Sequence, residues 1–156
     1  MPGGIDLLDK TWSVPAGRMK AHREHRVPPS PRALTILAEM QAARNSEAND
    51  AYVFPDPRPG KPLSNMAFLM LLRRMGRGDL TTHGFRSSFR DWVAERTSFP
   101  SDVAELALAH AVRNPVEAAY RRGDLFEKRR KLMEAWATFC TTAPTEHGKV
   151  VSLQGR

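Results

Sequence analysis

Five polar side chains, of types that bind anions and exchange protons, are spread along the sequence: Lys20, His83, Arg86, His110 and Tyr120. His83 and Arg86 stand three residues apart where a helix is predicted to start, so their side chains are one turn apart on it. A helix holds a guanidinium rigidly, and a rigid guanidinium can donate two parallel hydrogen bonds to a phosphate. Each residue taken singly also fits an ordinary structural role, such as a helix-end histidine or a core tyrosine. It is their combination that suggests an active site.

The charge balance favours nucleic acid as the partner. The 156 residues carry 24 Lys and Arg against 17 Asp and Glu, a net charge of +7, and most of the cations are arginine, whose planar fork matches phosphate. Basic residues cluster at 18–32, 73–90 and 113–131. Surface helices also carry such charge for solubility alone, but the clusters have the pattern expected for contact with a DNA backbone. The candidate DNA-contacting residues are Arg18, Arg23, Arg90, Arg113, Arg121 and Arg122.

Several functional classes are disfavoured by composition. Cys140 is the only cysteine, so the chain can form neither an internal disulfide nor a four-cysteine zinc site, and a cytoplasmic location is expected. His22 and His25 have no cysteine or carboxylate pair to complete a metal site. We therefore predict no metal and no cofactor. The longest apolar run, 66–72, is far shorter than the roughly 20 residues of a membrane helix, so no membrane association is expected.

The elements that must position the five residues are predicted to be helices and one small hairpin. Two short extended segments, 12–15 and 25–28, predict a β-hairpin whose long basic loop contains Lys20. Ser30 and Pro31 then predict the start of a helix of about 14 residues. The segment 51–54 reads as a short extended piece before a proline-rich loop. From Ser64 a further helix is predicted, mostly buried because of its many apolar residues.

The second half of the chain shows helical spacing almost throughout. An apolar stripe follows His83, at Phe85, Phe89, Trp92 and Val93, and leaves Arg86 and Arg90 on an adjoining face. Further helices are predicted from Ser101 to near His110, around Tyr120, and from Asp124 to Cys140. No repeat and no alternation of strand and helix is present. The predicted fold class is therefore mainly α with a small β-hairpin.

Four stretches of the sequence, WSVPAGRMKAHREHRVP, THGFRSSFRDWVAE, ELALAH and AAYRRGDLFEKRRKLMEAWA, together resemble the tyrosine recombinase (phage integrase) superfamily. The resemblance runs from about residue 5 to residue 139, and it is strongest for integrases of prophages and genomic islands. It implies a catalytic-domain fold that acts on double-stranded DNA. By the same resemblance Lys20 is the hairpin lysine, His83 and Arg86 form the second conserved box, His110 is the following histidine and Tyr120 is the nucleophile.

The chemistry implied by that resemblance is a transesterification. A tyrosine hydroxyl, with an ordinary pKa of about 10, attacks a phosphodiester only where a base or nearby cations favour the phenolate. Arg86, His83 and His110 would stabilise the charge that develops on the phosphate oxygens, and Lys20 would protonate the departing 5′ oxygen. The 3′-phosphotyrosyl bond conserves the energy of the DNA bond, so that religation requires neither ATP nor a metal.

Two features depart from the family pattern. Ala109 stands where the family usually has glycine, a small change that we expect to be tolerated. The family's first catalytic arginine, on a helix before the hairpin, has no match, and neither has the separate N-terminal DNA-binding domain. We therefore expect residues 1–140 to be the C-terminal part of a catalytic domain, residues 141–156 to be a flexible tail, and the chain to be weakly active or inactive.

Three functions of different classes follow from this reading. The chain is a site-specific recombinase that integrates DNA, or a non-catalytic DNA-binding remnant, or a module that binds full-length integrase through its last helix. The last helix itself either closes the core, which its amount of apolar surface favours, or docks on a second protomer. Homo-oligomers on DNA are a further expectation of the resemblance.

Overall fold

A computed structural model describes residues 4–43, 52–58, 60–110 and 123–143. Within these ranges the chain forms three short strands, a turn of 3₁₀ helix and five α-helices, which confirms the predicted mainly helical class. The strands are Ile5–Asp6 (β1), Thr11–Val14 (β2) and His25–Val27 (β3), with the 3₁₀ turn at Ala16–Arg18. The helices are Pro31–Ala42 (α1), Ala67–Arg74 (α2), Gly84–Arg96 (α3), Ser101–Ala107 (α4) and Phe126–Thr141 (α5).

The predicted hairpin is present and is extended by one more strand. β2 and β3 pair antiparallel, with Trp12 opposite Val27, and β1 pairs with the other edge of β2, where Ile5 faces the same Trp12. The additional strand was not predicted because two residues are too few for an alternating pattern. Lys20 lies in the β2–β3 loop, as the sequence indicated.

The first helix begins as predicted and the second is packed differently. The Ser30 hydroxyl accepts a hydrogen bond from the Ala33 amide at 3.3 Å, Pro31 is the first helical residue, and α1 ends at Ala42 after 12 residues. On α2 the prediction of a mostly buried helix is wrong, since Leu72 is its only buried residue and Phe68 is 57% exposed. The physical reason is that α2 makes only slight contact with the other described elements.

The segment 52–58 is not a strand. Its only ladder contact in the described part of the chain is a single bridge between Pro55 and Pro62, which disagrees with the predicted extended piece at 51–54. Proline has no amide hydrogen to donate to a ladder. The turn between the two prolines is held instead by the Asp56 carboxylate, which accepts hydrogen bonds from the backbone and side chain of Arg58.

The core lies between α3, α4 and α5. Its buried members come from all three helices and are Phe89, Trp92, Val93, Val103, Ala104 and Leu132. Trp136 of α5 packs edge-on against Phe89 at 5.4 Å between ring centroids and lies 5.1 Å from Trp92. The last helix therefore closes the core, as predicted from its apolar surface, while Cys140 near its end is exposed. These contacts fix α3, which carries Arg86, relative to the end of α4, beyond which His110 lies.

Candidate active site

The start of α3 presents Arg86 to solvent. The Thr81 hydroxyl accepts a hydrogen bond from the Gly84 amide at 3.1 Å, which satisfies one of the free amides of the first turn. His83 is the residue immediately before the helix, and its carbonyl accepts from the Arg86 amide at 3.0 Å. Phe89, on the adjoining side of the helix, is buried in the core, so the rotation of α3 is fixed with His83 and Arg86 exposed at its N-terminal end.

Arg86 and His110 are in direct contact although 24 residues separate them. One guanidinium nitrogen, Nη2, donates to the Leu108 carbonyl at 2.6 Å and lies 2.8 Å from Nε2 of the His110 ring. Nη2 carries two hydrogens, so it can make both bonds at once. The structure thus brings together two of the five residues that the sequence singled out, at one exposed position.

The position of His110 is set by the way α4 ends. The His110 amide donates to the Glu105 carbonyl at 2.9 Å and the Ala109 amide to the Leu106 carbonyl at 3.1 Å, which is the hydrogen-bond pattern of a Schellman motif. That motif requires a left-handed residue, and Ala109 supplies it with a φ of 55°. The geometry gives the physical reason for the glycine that the family usually has here, because glycine adopts this conformation without strain.

Glu105 connects His110 to a second arginine. Its Oε2 lies 2.6 Å from His110 Nδ1 and its Oε1 lies 3.0 Å from Arg90 Nε. Sequence reasoning missed Glu105, although its place five residues before His110 on a helix end was a signal. The four side chains form one chain of contacts, Arg90–Glu105–His110–Arg86. Arg90, a candidate DNA contact, is 55% exposed in its side chain, so its remaining donors stay accessible.

The hairpin loop carries further predicted residues, which the structure does not join to this cluster. Lys20, Arg18 and Arg23 are exposed. Among the residues that the structure describes, no side-chain hydrogen bond or ion pair connects any of the three to α3 or α4. Their roles at the site stay predictions.

Four predicted site residues lie outside the described residues: Tyr120, Arg113, Arg121 and Arg122. The structure therefore gives no position for the proposed nucleophile. The described chain resumes at residue 123, three residues after Tyr120.

An ionic cluster surrounds Asp124, at the point where the described chain resumes. Arg26 of β3 donates Nε and Nη2 to the two carboxylate oxygens at 3.0 and 2.9 Å, and Arg129 of α5 donates Nη2 to Oδ2 at 2.8 Å. Arg129 also donates Nε to the Asp124 carbonyl at 2.8 Å and Nη1 to the Arg26 carbonyl at 2.5 Å. The last helix was predicted to begin at Asp124, but α5 begins two residues later, at Phe126, whose amide donates to Asp124 Oδ1 at 3.2 Å.

Arg129 corrects the prediction of a basic cluster at 113–131 that faces DNA. Its side chain is 1% exposed, and burial lowers the pKa of its guanidinium against the opposing effect of Asp124. Burial, together with the charge of Arg129, also lowers the pKa of His25 on β3. A charge run in sequence does not distinguish a solvated cation from one that is buried against a carboxylate. Here the hairpin, α5 and residue 124 are joined through that buried cation.

Within the described ranges, no group of three or more histidine, cysteine or acidic residues is arranged to hold a metal ion. No helix in the same part of the chain is long and apolar enough to cross a lipid bilayer.

The sequence is similar to known integrases over most of its length. The profile of the phage integrase family matches residues 3–125. Prophage integrase IntA of Escherichia coli K12 is 38% identical over 149 residues, which cover 94% of this chain and 35% of that protein. Prophage integrase IntZ of the same strain is 35% identical over 134 residues, 85% of this chain and 32% of that protein. The integrase of Enterobacteria phage P4 is 30% identical over 152 residues, 86% of this chain and 34% of that protein.

The chain thus spans about a third of the length of the curated relatives that it matches. No solved structure matches it significantly.

Proposed function

The chain belongs to the phage integrase family, and from that premise we propose that it acts on double-stranded DNA as the C-terminal part of a tyrosine recombinase catalytic domain. The observation that carries this proposal is the contact between Arg86 and His110 at 2.8 Å. Two exposed side chains converge there, Arg86 from α3 and His110 from just beyond the end of α4, as binding of one phosphate requires. The proposed domain is residues 1–140, followed by a tail at 141–156, and the proposed location is the cytoplasm, where DNA is accessible.

The proposed reaction is cleavage and rejoining of one DNA strand. The Tyr120 hydroxyl oxygen attacks the phosphorus, the bond from phosphorus to the 5′ oxygen breaks, and a 3′-phosphotyrosyl ester forms. The phenolic proton leaves to a neighbouring base, and Lys20 gives a proton to the departing 5′ oxygen. Arg86 donates to the non-bridging oxygens, with His83 as an additional donor and His110 as a further one once Nε2 has taken a proton. The reverse reaction with a different 5′ hydroxyl joins the strand to a new partner.

The geometry around Arg86 adds a condition to this reaction. A guanidinium grips a phosphate through one of two forked edges, Nε with Nη2 or Nη1 with Nη2. Both edges include Nη2, whose two hydrogens are directed at Leu108 and His110. A phosphate that binds Arg86 through two bonds must therefore replace one of these two acceptors. The His110 contact is the one that can open, because a side chain turns more easily than the backbone carbonyl that ends α4.

The substrate test is covalent capture on a nicked suicide duplex, in which the cleaved strand diffuses away and the adduct accumulates. We expect a detergent-stable adduct between the chain and the cleaved strand. Tyr120→Phe should abolish the adduct, and Tyr52→Phe, the other tyrosine of the chain, is the matched control and should leave it unchanged.

Two other results would decide against the enzyme. An adduct that survives Tyr120→Phe would exclude Tyr120 as the nucleophile. Salt-dependent DNA binding with no adduct after prolonged incubation would favour the non-catalytic DNA-binding module, for which the exposed Arg18 and Arg23 provide support. Mixed oligomers with a full-length integrase, formed without DNA affinity, would favour the partner-binding module.

A further inference from the structure

Glu105 lies between two residues of the candidate active site. Its two carboxylate oxygens are divided between them, with Oε2 at 2.6 Å from His110 Nδ1 and Oε1 at 3.0 Å from Arg90 Nε. The Glu105 side chain is 27% exposed and is thus more enclosed than the side chains of Arg90 and His110, which are 55% and 41% exposed. The Glu105 side chain is therefore the least exposed of the three.

We propose that Glu105 is a positioning residue, which holds the His110 ring in one rotation and one tautomer for the cleavage reaction. This inference rests on the proposed function, because it assigns a purpose to the orientation of a residue of that site. Glu105 itself is not expected to touch DNA.

The contacts of His110 determine its tautomer. A guanidinium nitrogen only donates hydrogen bonds, so the Arg86 contact at 2.8 Å requires Nε2 of His110 to be the acceptor and to carry no proton. In a neutral imidazole the other nitrogen then carries the proton, and Nδ1 donates it to Glu105 at 2.6 Å. The partner of one ring nitrogen thus sets the state of the other.

The hydrogen bond between His110 Nδ1 and Glu105 keeps His110 in place when Arg86 turns to a phosphate. A phosphate that grips Arg86 through two bonds can displace the Nη2 contact to His110, as the geometry of the fork requires. His110 would then have lost one of its two side-chain partners, and the remaining bond to Glu105 still directs Nε2 toward the space that the phosphate has entered. If His110 takes a proton on Nε2 at that moment, the carboxylate already faces the resulting cation.

Arg90 fixes the carboxylate in turn. Its Nε occupies Oε1, which leaves Oε2 as the oxygen for His110. Because Arg90 and Arg86 are one turn apart on α3, the ionic contact also ties α4 to the helix that carries Arg86. The Arg90–Glu105 ion pair thus positions Arg86 on α3 and His110, just beyond α4, relative to each other.

The first test is the ¹⁵N spectrum of histidine-labelled full chain at about pH 8.5, where an ordinary imidazole is neutral. The His110 signals are identified by their loss in His110→Gln. We expect the Nδ1–H tautomer for His110 in the wild type and a shift toward the Nε2–H form, which free imidazole side chains prefer, in Glu105→Ala. Glu95→Ala, at an exposed position of α3, is the matched control and should leave the His110 signals unchanged.

A wild-type His110 in the Nε2–H form overturns the inference, and this measurement stands even if Glu105→Ala does not fold. A folded Glu105→Ala with unchanged His110 signals overturns it as well. Both results are obtained without DNA, so they do not depend on whether the chain cleaves.

The second test is a double-mutant cycle on the rate of adduct formation at saturating DNA. Glu105→Ala should lower the rate roughly 10- to 100-fold in the wild-type background, as expected when a reacting group is misplaced, and should cause no further loss in a His110→Gln background. Full additivity of the two losses would contradict a role through His110. Absence of any wild-type adduct, with the Nδ1–H tautomer present, would count against the proposed function and leave the positioning of His110 intact.

Discussion

At the scale of single residues, one backbone conformation decides where His110 stands. Ala109 adopts a φ of 55°, which costs an L-residue about 1–2 kcal/mol relative to glycine. Replacement by glycine relieves that strain but increases the entropy of the unfolded chain, at a cost of about 0.4–1 kcal/mol. We therefore expect Ala109→Gly to raise the free energy of unfolding by about 0.5–1 kcal/mol, measured by urea denaturation.

A matched substitution separates this effect from glycine itself. Ala94 lies inside α3 and is exposed, so Ala94→Gly should lower the free energy of unfolding by about 1 kcal/mol. A loss of stability in both variants would show that the strain at Ala109 is smaller than the entropy cost of introducing glycine.

The residues of the site were predictable from sequence only in part. The ordered pattern singled out Arg86 and His110, and the structure places them in contact. The contacts of Glu105 and Asp124 were not predicted, because they depend on how α4 meets α3 and how α5 meets the hairpin. Spacing along one helix predicts which residues share a face, but it does not predict which side chain of another element meets them.

At the scale of elements, local signals predicted the boundaries better than the packing. The cap at Ser30 predicted correctly where α1 starts. The apolar stripe of α3 is buried at three of its four residues, but Phe85 is 52% exposed. The apolar residues of α2 predicted burial, but periodicity measures only the side chains of one helix and not the presence of a surface to cover them. The prediction for Arg129 was wrong for the opposite reason, because its charge indicated an exposed position and the side chain is buried.

The buried guanidinium of Arg129 makes its carboxylate partner, Asp124, important for stability. Asp124→Ala would leave Arg129, which is 1% exposed, without its carboxylate partner. Breaking such a pair costs about 3 kcal/mol, and the two backbone carbonyls that Arg129 retains keep the loss near this lower end of the range. We expect the urea midpoint of Asp124→Ala to fall accordingly, with the hairpin amides losing hydrogen-exchange protection first.

The control for this prediction is another aspartate with an arginine partner. Asp79 pairs with Arg77 at 2.9 Å, but both side chains are more than half exposed. Exposed pairs contribute little because water screens them, so Asp79→Ala should leave the midpoint nearly unchanged. Equal losses in the two variants would mean that the burial of Arg129 has no energetic consequence.

At the scale of the whole molecule, the same cluster makes folding depend on pH. Burial and the charge of Arg129 lower the pKa of His25 in the folded chain below its usual 6.5. The unfolded chain therefore binds a proton at His25 more readily, so this contribution to stability is complete above about pH 6.5 and is lost as the pH falls through the folded pKa. His25→Gln should flatten the decline of the urea midpoint between about pH 7 and pH 5, whereas His22→Gln, in the exposed loop, should not. An unchanged slope in His25→Gln would contradict the shift.

The net charge of +7 predicts how the whole chain meets DNA. Each cation that neutralises a phosphate releases a counterion, so the logarithm of the binding constant falls with the logarithm of the salt concentration by about 0.9 per contact. Arg18 and Arg23 are exposed in the hairpin loop, and loss of both should reduce the salt slope by about 2 while weakening binding to all sequences alike. Arg58 also lies in a loop, but its guanidinium is bound to Asp56 at 2.7 Å, so Arg58→Gln is the matched control and should leave the slope unchanged. If the double variant Arg18→Gln/Arg23→Gln keeps the wild-type slope, the hairpin loop does not contact the phosphate backbone, and the contacts are expected from the other candidate residues, Arg90, Arg113, Arg121 and Arg122.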